Sequence, residues 1–241
     1  MRTEQLIQLN EQGFIVFKGK LDPKQVRAYL DRLEALWAEE GENAGSENYI
    51  EAGVRRLANL AAKGDLFRAV YADSDVLEAV EAVMGSEIRA SMVNARDVPP
   101  HTGIRMPFHT DTDRDCLSQI GGYSAATAIW MLDPFIDANG ATAFVPGSHR
   151  FKRRPSEVLD DANAPHPDEL IITGEPGDVL VFNGHAWHAG RPNSTAGHRR
   201  AILVHYLRSD VSRPKNRRQH LTPQAAANLS DRERSLLGLD D

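Results

Sequence analysis

The chain of 241 residues is 41% hydrophobic and 26% charged, close to the globular average, which excludes collagen, coiled-coil and wholly disordered chains. At this length folding should bury roughly 70–75% of the unfolded surface, so no covalent staples are required. A formal net charge of -6 argues against nucleic-acid or membrane-surface binding, which would rest on Lys and Arg.

Cys116 is the only cysteine, which excludes an internal disulfide, disfavours a Cys-based zinc site and suits a reducing cytoplasm. The opening MRTEQLIQLNEQG has no apolar leader, and no run approaches the roughly 18 apolar residues a membrane span requires. A cytoplasmic protein is therefore expected. Nine histidines, several in one half of the chain, leave open whether they form a site or a scatter.

In chain order, residues 3–12 read as a helix broken at Gly13, and Phe14-Ile15-Val16-Phe17 as a short strand. Asp22-Pro23 supplies an N-cap and a proline at N1, followed by Val26, Leu30, Leu33 and Leu36 on one helical face. Residues 39–53 are polar and glycine-rich, a loop. Ser74 to Met84 forms a second amphipathic helix with Val76, Leu77, Val80 and Val83. After Gly85, β-type runs at 87–94, 105–109, 124–132, 142–145, 170–173, 178–183, 186–190 and 199–207 alternate with turns such as Asn139-Gly140 and Pro176-Gly177-Asp178. This spacing predicts an antiparallel sandwich or barrel. Residues 152–168 read as a charged, proline-rich insertion, and the polar tail from 209 carries a weak helix near Pro223–Leu229. The expected architecture is one domain over 1–241: helical to about residue 85, a β-barrel core over about 86–208, and the tail 209–241.

The sharpest local feature is Phe108-His109-Thr110-Asp111. On an extended strand residues two apart share a face, so His109 and Asp111 can offer an imidazole and a carboxylate to one metal ion. A further histidine would complete the two-His, one-carboxylate facial triad that leaves three positions open on Fe(II). His-x-Asp alone arises often by chance. Far downstream come Gly177-Asp178, then Trp187-His188-Ala189-Gly190, then Arg199-Arg200 beyond a turn at Arg191-Pro192-Asn193-Ser194. This order lets His188 return to the same place and sets Arg199 deeper in the same cavity. A buried guanidinium there needs an anionic partner, and a dicarboxylate that also chelates the metal would provide one.

FHTD, NGATAFVPGSHR, GDVLVFNGHAWHAGRPNS and HRRAILVHY, in this order, resemble the phytanoyl-CoA dioxygenase family, and the similarity extends from about Gln12 to Leu207. The resemblance implies a double-stranded β-helix and a non-haem oxygenase that uses Fe(II), 2-oxoglutarate and O2. It implies His109, Asp111 and His188 as iron ligands and Arg199 as the partner of the distal 2-oxoglutarate carboxylate. It also implies oxidation of an unactivated C–H bond in a small organic molecule, with release of succinate and CO2. Related halogenases lack the carboxylate ligand, so Asp111 favours hydroxylation or another oxidation. The family name does not establish an acyl-CoA substrate, and no feature of the chain would recognise CoA phosphates. Nor does any motif specify an oligomeric state.

The remaining polar residues divide further. His149 takes a structural position in the resemblance. His185 faces away from His188 on a strand and reads as a surface or second-layer residue, though a slipped register makes it the rival third ligand. Asn94 and Arg96 alternate inward on one strand, Asn94 toward 2-oxoglutarate and Arg96 toward substrate. Phe182, His205 and Asp113 are candidates for the substrate pocket, the first two competing with ordinary core roles and Asp113, like Asp115, with an exposed loop acid. His101 has no evident partner, and Arg208, Arg213, Arg217 and Arg218 read as a solvated basic tail. A non-catalytic metal-binding barrel and a Zn(II) hydrolase or isomerase with the same ligands are the competing readings of function.

Overall fold

The computed structural model describes residues 1–47, 51–111, 122–211, 221 and 226–239. Helix α1 (Thr3–Gln12) ends where Gly13 turns left-handed, at φ 85°, and passes directly into β1 (Phe14–Phe17). Helix α2 (Pro23–Glu40) starts at Asp22, whose carboxylate accepts the Gln25 N–H at 2.8 Å, while the Gln25 side chain accepts the Asp22 N–H at 2.8 Å. This reciprocal cap satisfies donors that a helix start leaves orphaned. Its buried face carries Val26, Tyr29, Leu33, Leu36 and Trp37. Next come β2 (Arg55–Leu57), the single turn α3 (Arg68–Tyr71) and α4 (Ser74–Met84), which is capped by Asp73.

The β region comprises β3 (Ile88–Val98), β4 (Ala125–Met131), β5 (Ala143–Phe144), β6 (Leu170–Ile171), β7 (Val179–Asn183), β8 (His188–Ala189) and β9 (Arg199–Arg208), and α5 (Asp231–Leu237) follows. Among the described residues the strands form a six-stranded sheet of order β1-β7-β4-β9-β3-β2 and a three-stranded sheet of order β6-β5-β8, with every pairing antiparallel. This is the two-sheet core of a double-stranded β-helix with helices at its N-terminal end. The expected barrel is not a closed ring of ladders among the described residues, because no ladder joins the small sheet to the large one.

Strand alternation decides what each face does. In β4, Ala126, Ala128 and Trp130 join Ile202, Val204 and Tyr206 of β9 in the core beneath the helices, with Leu33, Leu36, Val76 and Val80. Ile129 and Met131 face the small sheet, where they pack with Phe14, Phe144, Leu180 and Phe182. The polar positions of the inner face, Thr127 on β4 and His205 on β9, are left to line whatever opens between the sheets.

Two differences from the sequence expectation have local causes. The predicted strand 105–109 shrinks to a bridge between His109 and His188. Two residues before His109, the position that would next donate to the ladder is Pro107, which has no N–H, and Met106 donates to the Gly190 carbonyl instead, at 2.9 Å. Strand β2 went unpredicted because Arg55-Arg56-Leu57 lacks β-type composition; its register comes from pairing with Ala95–Asp97. The predicted strands 170–173 and 186–190 shorten to two residues each. The weak helix near Pro223–Leu229 lies in part outside the described residues. No helix among the described residues is long and apolar enough to cross a membrane.

Gly13 joins α1 to β1. A Cβ there would lie 2.6 Å from Nδ1 of His149, whose Nε2 donates to the Asn10 carbonyl at 3.1 Å. His149 is thus a buried strut under α1. Gly13→Ala is expected to lose about 1–2 kcal/mol for the left-handed backbone and more for the contact. The check is a urea unfolding midpoint, and a fall no larger than the backbone alone accounts for would argue against the strut.

Candidate metal centre and its cavity

Register across the large sheet aligns the inner wall of the site. Thr127 of β4 pairs with Phe182 of β7 and with His205 of β9, and His205 pairs with Met92 of β3. Phe182, Thr127, His205 and Met92 therefore form one row. Asn94 is paired with Leu203, and Arg96 with Ala201, along the next steps of β3 and β9. All of these residues line a cavity of about 370 Å³, together with His109, Asp111, His188 and Arg199.

The opposite wall carries the candidate ligands. His109 and His188 are held side by side by reciprocal backbone hydrogen bonds of 3.0 and 3.1 Å, with ring centroids 4.3 Å apart. Asp111 is placed by its own N–H, which donates to the Gly184 carbonyl at 2.7 Å. One donor atom from each of His109, Asp111 and His188 lies within 4.8 Å of the others.

Each imidazole is oriented in the same way. Nδ1 of His109 lies 3.0 Å from the Pro107 carbonyl and Nδ1 of His188 lies 3.0 Å from the Ala186 carbonyl. A carbonyl only accepts, so the proton sits on Nδ1 and each Nε2 offers a lone pair. This is the tautomer that a metal-ligating histidine requires. Asp111 Oδ1 lies 3.4 Å from His188 Nε2, while its Oδ2 accepts the Thr127 hydroxyl at 2.6 Å.

The charge states of His109 and Asp111 agree with this donor set, whereas the Asp111 carboxylate favours a proton on His188 that a bound metal would displace. Burial pulls His109 down to about 4, helped by the neighbouring His188. Burial works against ionisation of Asp111, yet the charges of His188, His205 and His109 and the His188 hydrogen bond hold it far below the usual carboxylate range. Burial likewise opposes charge on His188, but Asp111 outweighs it and raises its pKa. Two nitrogens and one carboxylate oxygen with no fourth protein donor among the described residues match a site that keeps open positions on Fe(II).

Arg199 lies at the bottom of the cavity, 5% exposed, with Nε and Nη2 buried and without hydrogen-bond partners. Its guanidinium lies 5.0 Å over the Phe135 ring, and burial, then repulsion from Arg96, pulls its pKa down to about 9. Two unsatisfied donors on a buried cation are costly, and a dicarboxylate is the ligand that would satisfy both.

The other sequence candidates fall into distinct places. Arg96 lines the cavity, but its guanidinium is gripped by Glu51, with Nε at 3.0 Å from Oε2 and Nη2 on Oε1. The same carboxylate takes Arg56 at 2.6 Å. Asn94 also lines the cavity, and its Oδ1 accepts the Asn59 N–H at 3.2 Å. Phe182 packs on His188 with centroids 4.7 Å apart. His205 Nδ1 lies 3.1 Å from the Thr127 hydroxyl. Asp113 and Asp115, like Arg213, Arg217 and Arg218, lie outside the described residues.

His185 is not brought to the cluster, nor is it a surface residue. It is buried in the turn after β7, where Nε2 accepts the Ser124 N–H at 2.9 Å and burial, with His149 nearby, lowers its pKa to about 4. Sequence reasoning passed over Thr127 and Glu51. Thr127 had a signal, as the polar residue at an inward position of Ala-Ala-Thr-Ala-Ile-Trp-Met; Glu51 had none, because only folding brings it to Arg96.

Fold and donor set together define a non-haem oxygenase of the kind that depends on Fe(II) and 2-oxoglutarate. Residues 9–201 match the phytanoyl-CoA dioxygenase (PhyH) family, and the chain belongs to that family. Dioxygenase af480 of Aspergillus fumigatus is 27% identical over 238 residues, covering 96% of this chain and 75% of the relative. HygX of Streptomyces hygroscopicus, crystallised with nickel and 2-oxoglutarate, superposes with a TM-score of 0.71 at 19% identity, over 88% of this chain and 89% of its own. SnoK, a non-haem α-ketoglutarate-dependent carbocyclase from nogalamycin biosynthesis, superposes with a TM-score of 0.70 at 20% identity, over 95% and 91%.

His185→Ala is expected to lower the thermal midpoint, since it orphans the buried Ser124 N–H, and to leave Co(II) binding within about twofold of the parent protein. Loss of Co(II) binding equal to that of His188→Ala would place His185 among the ligands instead.

Proposed function

We propose that His109 Nε2, Asp111 and His188 Nε2 hold Fe(II), that Arg199 binds the distal carboxylate of 2-oxoglutarate, and that the enzyme oxidises a C–H bond of a small organic molecule. The observation that carries this reading is Arg199, a buried cation with two orphaned donors in the same cavity as the three-residue cluster. A barrel that merely held a metal, or a hydrolase using Zn(II), would have no use for it. Fe(II) with bound 2-oxoglutarate supplies the O2-dependent oxidation, with release of succinate and CO2.

The chain's own residues bind, orient and exclude. The Arg199 guanidinium, 5.0 Å from the centre of the Phe135 ring, presents a fork that a carboxylate can accept in bidentate fashion. Phe182, Ile129, Leu203, Met92 and Met106 surround the centre with apolar surface, which limits water where a reactive oxidant forms. The polar wall of Asn94, Arg96 and His205 supplies the few directional contacts that orient a substrate. Asp111 occupies the position that would otherwise admit a halide, which supports hydroxylation or another oxidation. A structure of HygX with hygromycin B bound and the carbocyclase activity of SnoK support a small-molecule substrate and an oxidative outcome set by how that substrate is held. We read residues 1–241 as one oxygenase domain and, from the single cysteine, as a cytoplasmic enzyme.

Anaerobic addition of Fe(II) and then 2-oxoglutarate is expected to raise a weak visible charge-transfer band, and O2 to convert 2-oxoglutarate to succinate. Absence of both in protein that binds metal would sink the reading. Arg199→Ala removes up to two charge-assisted hydrogen bonds worth about 1.5–3 kcal/mol each. It should therefore raise the 2-oxoglutarate requirement by about 100-fold or more while iron affinity changes little. Asp111→Ala should abolish turnover and weaken iron binding itself.

A further inference from the structure

The Asp111 carboxylate is restrained by more than its own backbone. Its Oδ2 receives the Thr127 hydroxyl at 2.6 Å, and the Thr127 oxygen in turn lies 3.1 Å from His205 Nδ1. An ionised carboxylate can only accept, so Thr127 gives its single proton to Asp111 and its oxygen accepts Nδ1–H from His205. Direct contact between His205 and Asp111 is longer, at 4.0 Å, so the hydroxyl is the link. Thr127 and His205 are placed by rigid elements, and Asp111 by the hydrogen bond from its N–H to the Gly184 carbonyl. Thr127 and His205 are register partners on adjacent central strands, both about 5% exposed or less, and no loop movement is needed to bring them together.

We propose that Thr127, set by His205, is a positioning residue that holds Asp111 to a single ligating oxygen. The inference rests on the metal reading of the cluster and deepens it. With Oδ2 committed to Thr127, Oδ1 is the oxygen left toward His188 Nε2, 3.4 Å away. A carboxylate free to rotate could offer both oxygens and take two positions on the metal. That would remove one of the three positions a facial triad must leave for 2-oxoglutarate and O2. Ordered hydrogen bonds to ligating carboxylates are a general means of orienting them. The device also explains why an inner-face position of β4, flanked by apolar Ala126 and Ala128 in sequence, carries a hydroxyl. Valine has the same shape and higher β-propensity and would satisfy packing alone.

The test uses Co(II) as an optical probe of the full-length, metal-free protein without oxygen, reading affinity and d–d band shape by titration and the thermal midpoint of the metal-free form. Thr127→Val should weaken Co(II) binding by about 10- to 100-fold and change the band shape, and Thr127→Ser, which keeps the hydroxyl, should restore both. Affinity and band shape unchanged in Thr127→Val would overturn the proposal, as would an equal loss in Thr127→Ser. Should Thr127→Val fail to fold, His205→Phe removes the donor behind the hydroxyl: a shifted band with weaker binding supports the relay, and an unaltered band refutes it. No Co(II) bands in the parent protein would be a failure of the metal reading itself, distinguishable from failure of the relay.

Discussion

Two backbone hydrogen bonds, from His109 N–H to the His188 carbonyl and from His188 N–H to the His109 carbonyl, hold together the parts of the site that chain order keeps apart. They form the whole ladder at that point, because Pro107 withholds the next donor. One bridge is enough, since each flanking segment is tied elsewhere: Asp111 N–H to Gly184, Met106 N–H to Gly190, and His188 within β8 paired to β5. The bridge sets the spacing of the two rings, and the carbonyls of Pro107 and Ala186 then set their tautomer. Ligand spacing and ligand protonation thus both follow from main-chain geometry, which side-chain substitution around the cavity would leave largely intact.

Against this wall stands a sheet whose twofold alternation does separate work on its two faces. The outer face is continuous apolar core with α2 and α4, and it anchors β4 and β9. Because these strands are fixed from behind, their inner side chains can be polar without loosening the fold. Thr127, His205, Asn94 and Arg96 are all buried, and each has a hydrogen-bond or ion-pair partner. Glu51 neutralises Arg96 beside a cavity that already holds Arg199, which limits the mutual repulsion that lowers the Arg199 pKa. Burial opposes ionisation of Glu51, yet Arg96 and Arg56 hold it below the ordinary carboxylate range.

Helices α1, α2 and α4 were legible in the sequence almost residue by residue, because Asp22-Pro23, Gly13 and Gly85 are local signals with local causes, whereas α3 and α5 went unread. The long central strands were legible from composition. The short strands of the small sheet were legible only as approximate locations, since two-residue ladders depend on where the chain returns. His109, Asp111, His188 and Arg199 stood out because motif order and one family's pattern converge on them, and folding does bring them to one cavity. Thr127 needed cross-strand register, which no spacing rule supplies. For His185 the sequence left a surface or a second-layer position open, because parity was applied across residues that form a turn after β7, and period-two reasoning has no force in a turn; the buried position is the second of these.

The energetic cost of the site is concentrated in Arg199. Burying a guanidinium forfeits several kcal/mol of hydration even after relaxation, and here Nε and Nη2 recover none of it from the protein. Phe135 beneath the ring plane offsets part of the loss. An apolar side chain there would carry no such desolvation cost, so stability alone does not account for an arginine. A ligand that binds the folded chain and satisfies those donors stabilises it by mass action, and on the proposed reading 2-oxoglutarate is that ligand. On that reading the same residue that weakens the empty fold makes the cavity selective. An uncharged mimic of 2-oxoglutarate would leave the guanidinium unpaired and would forfeit the free energy that the carboxylate returns.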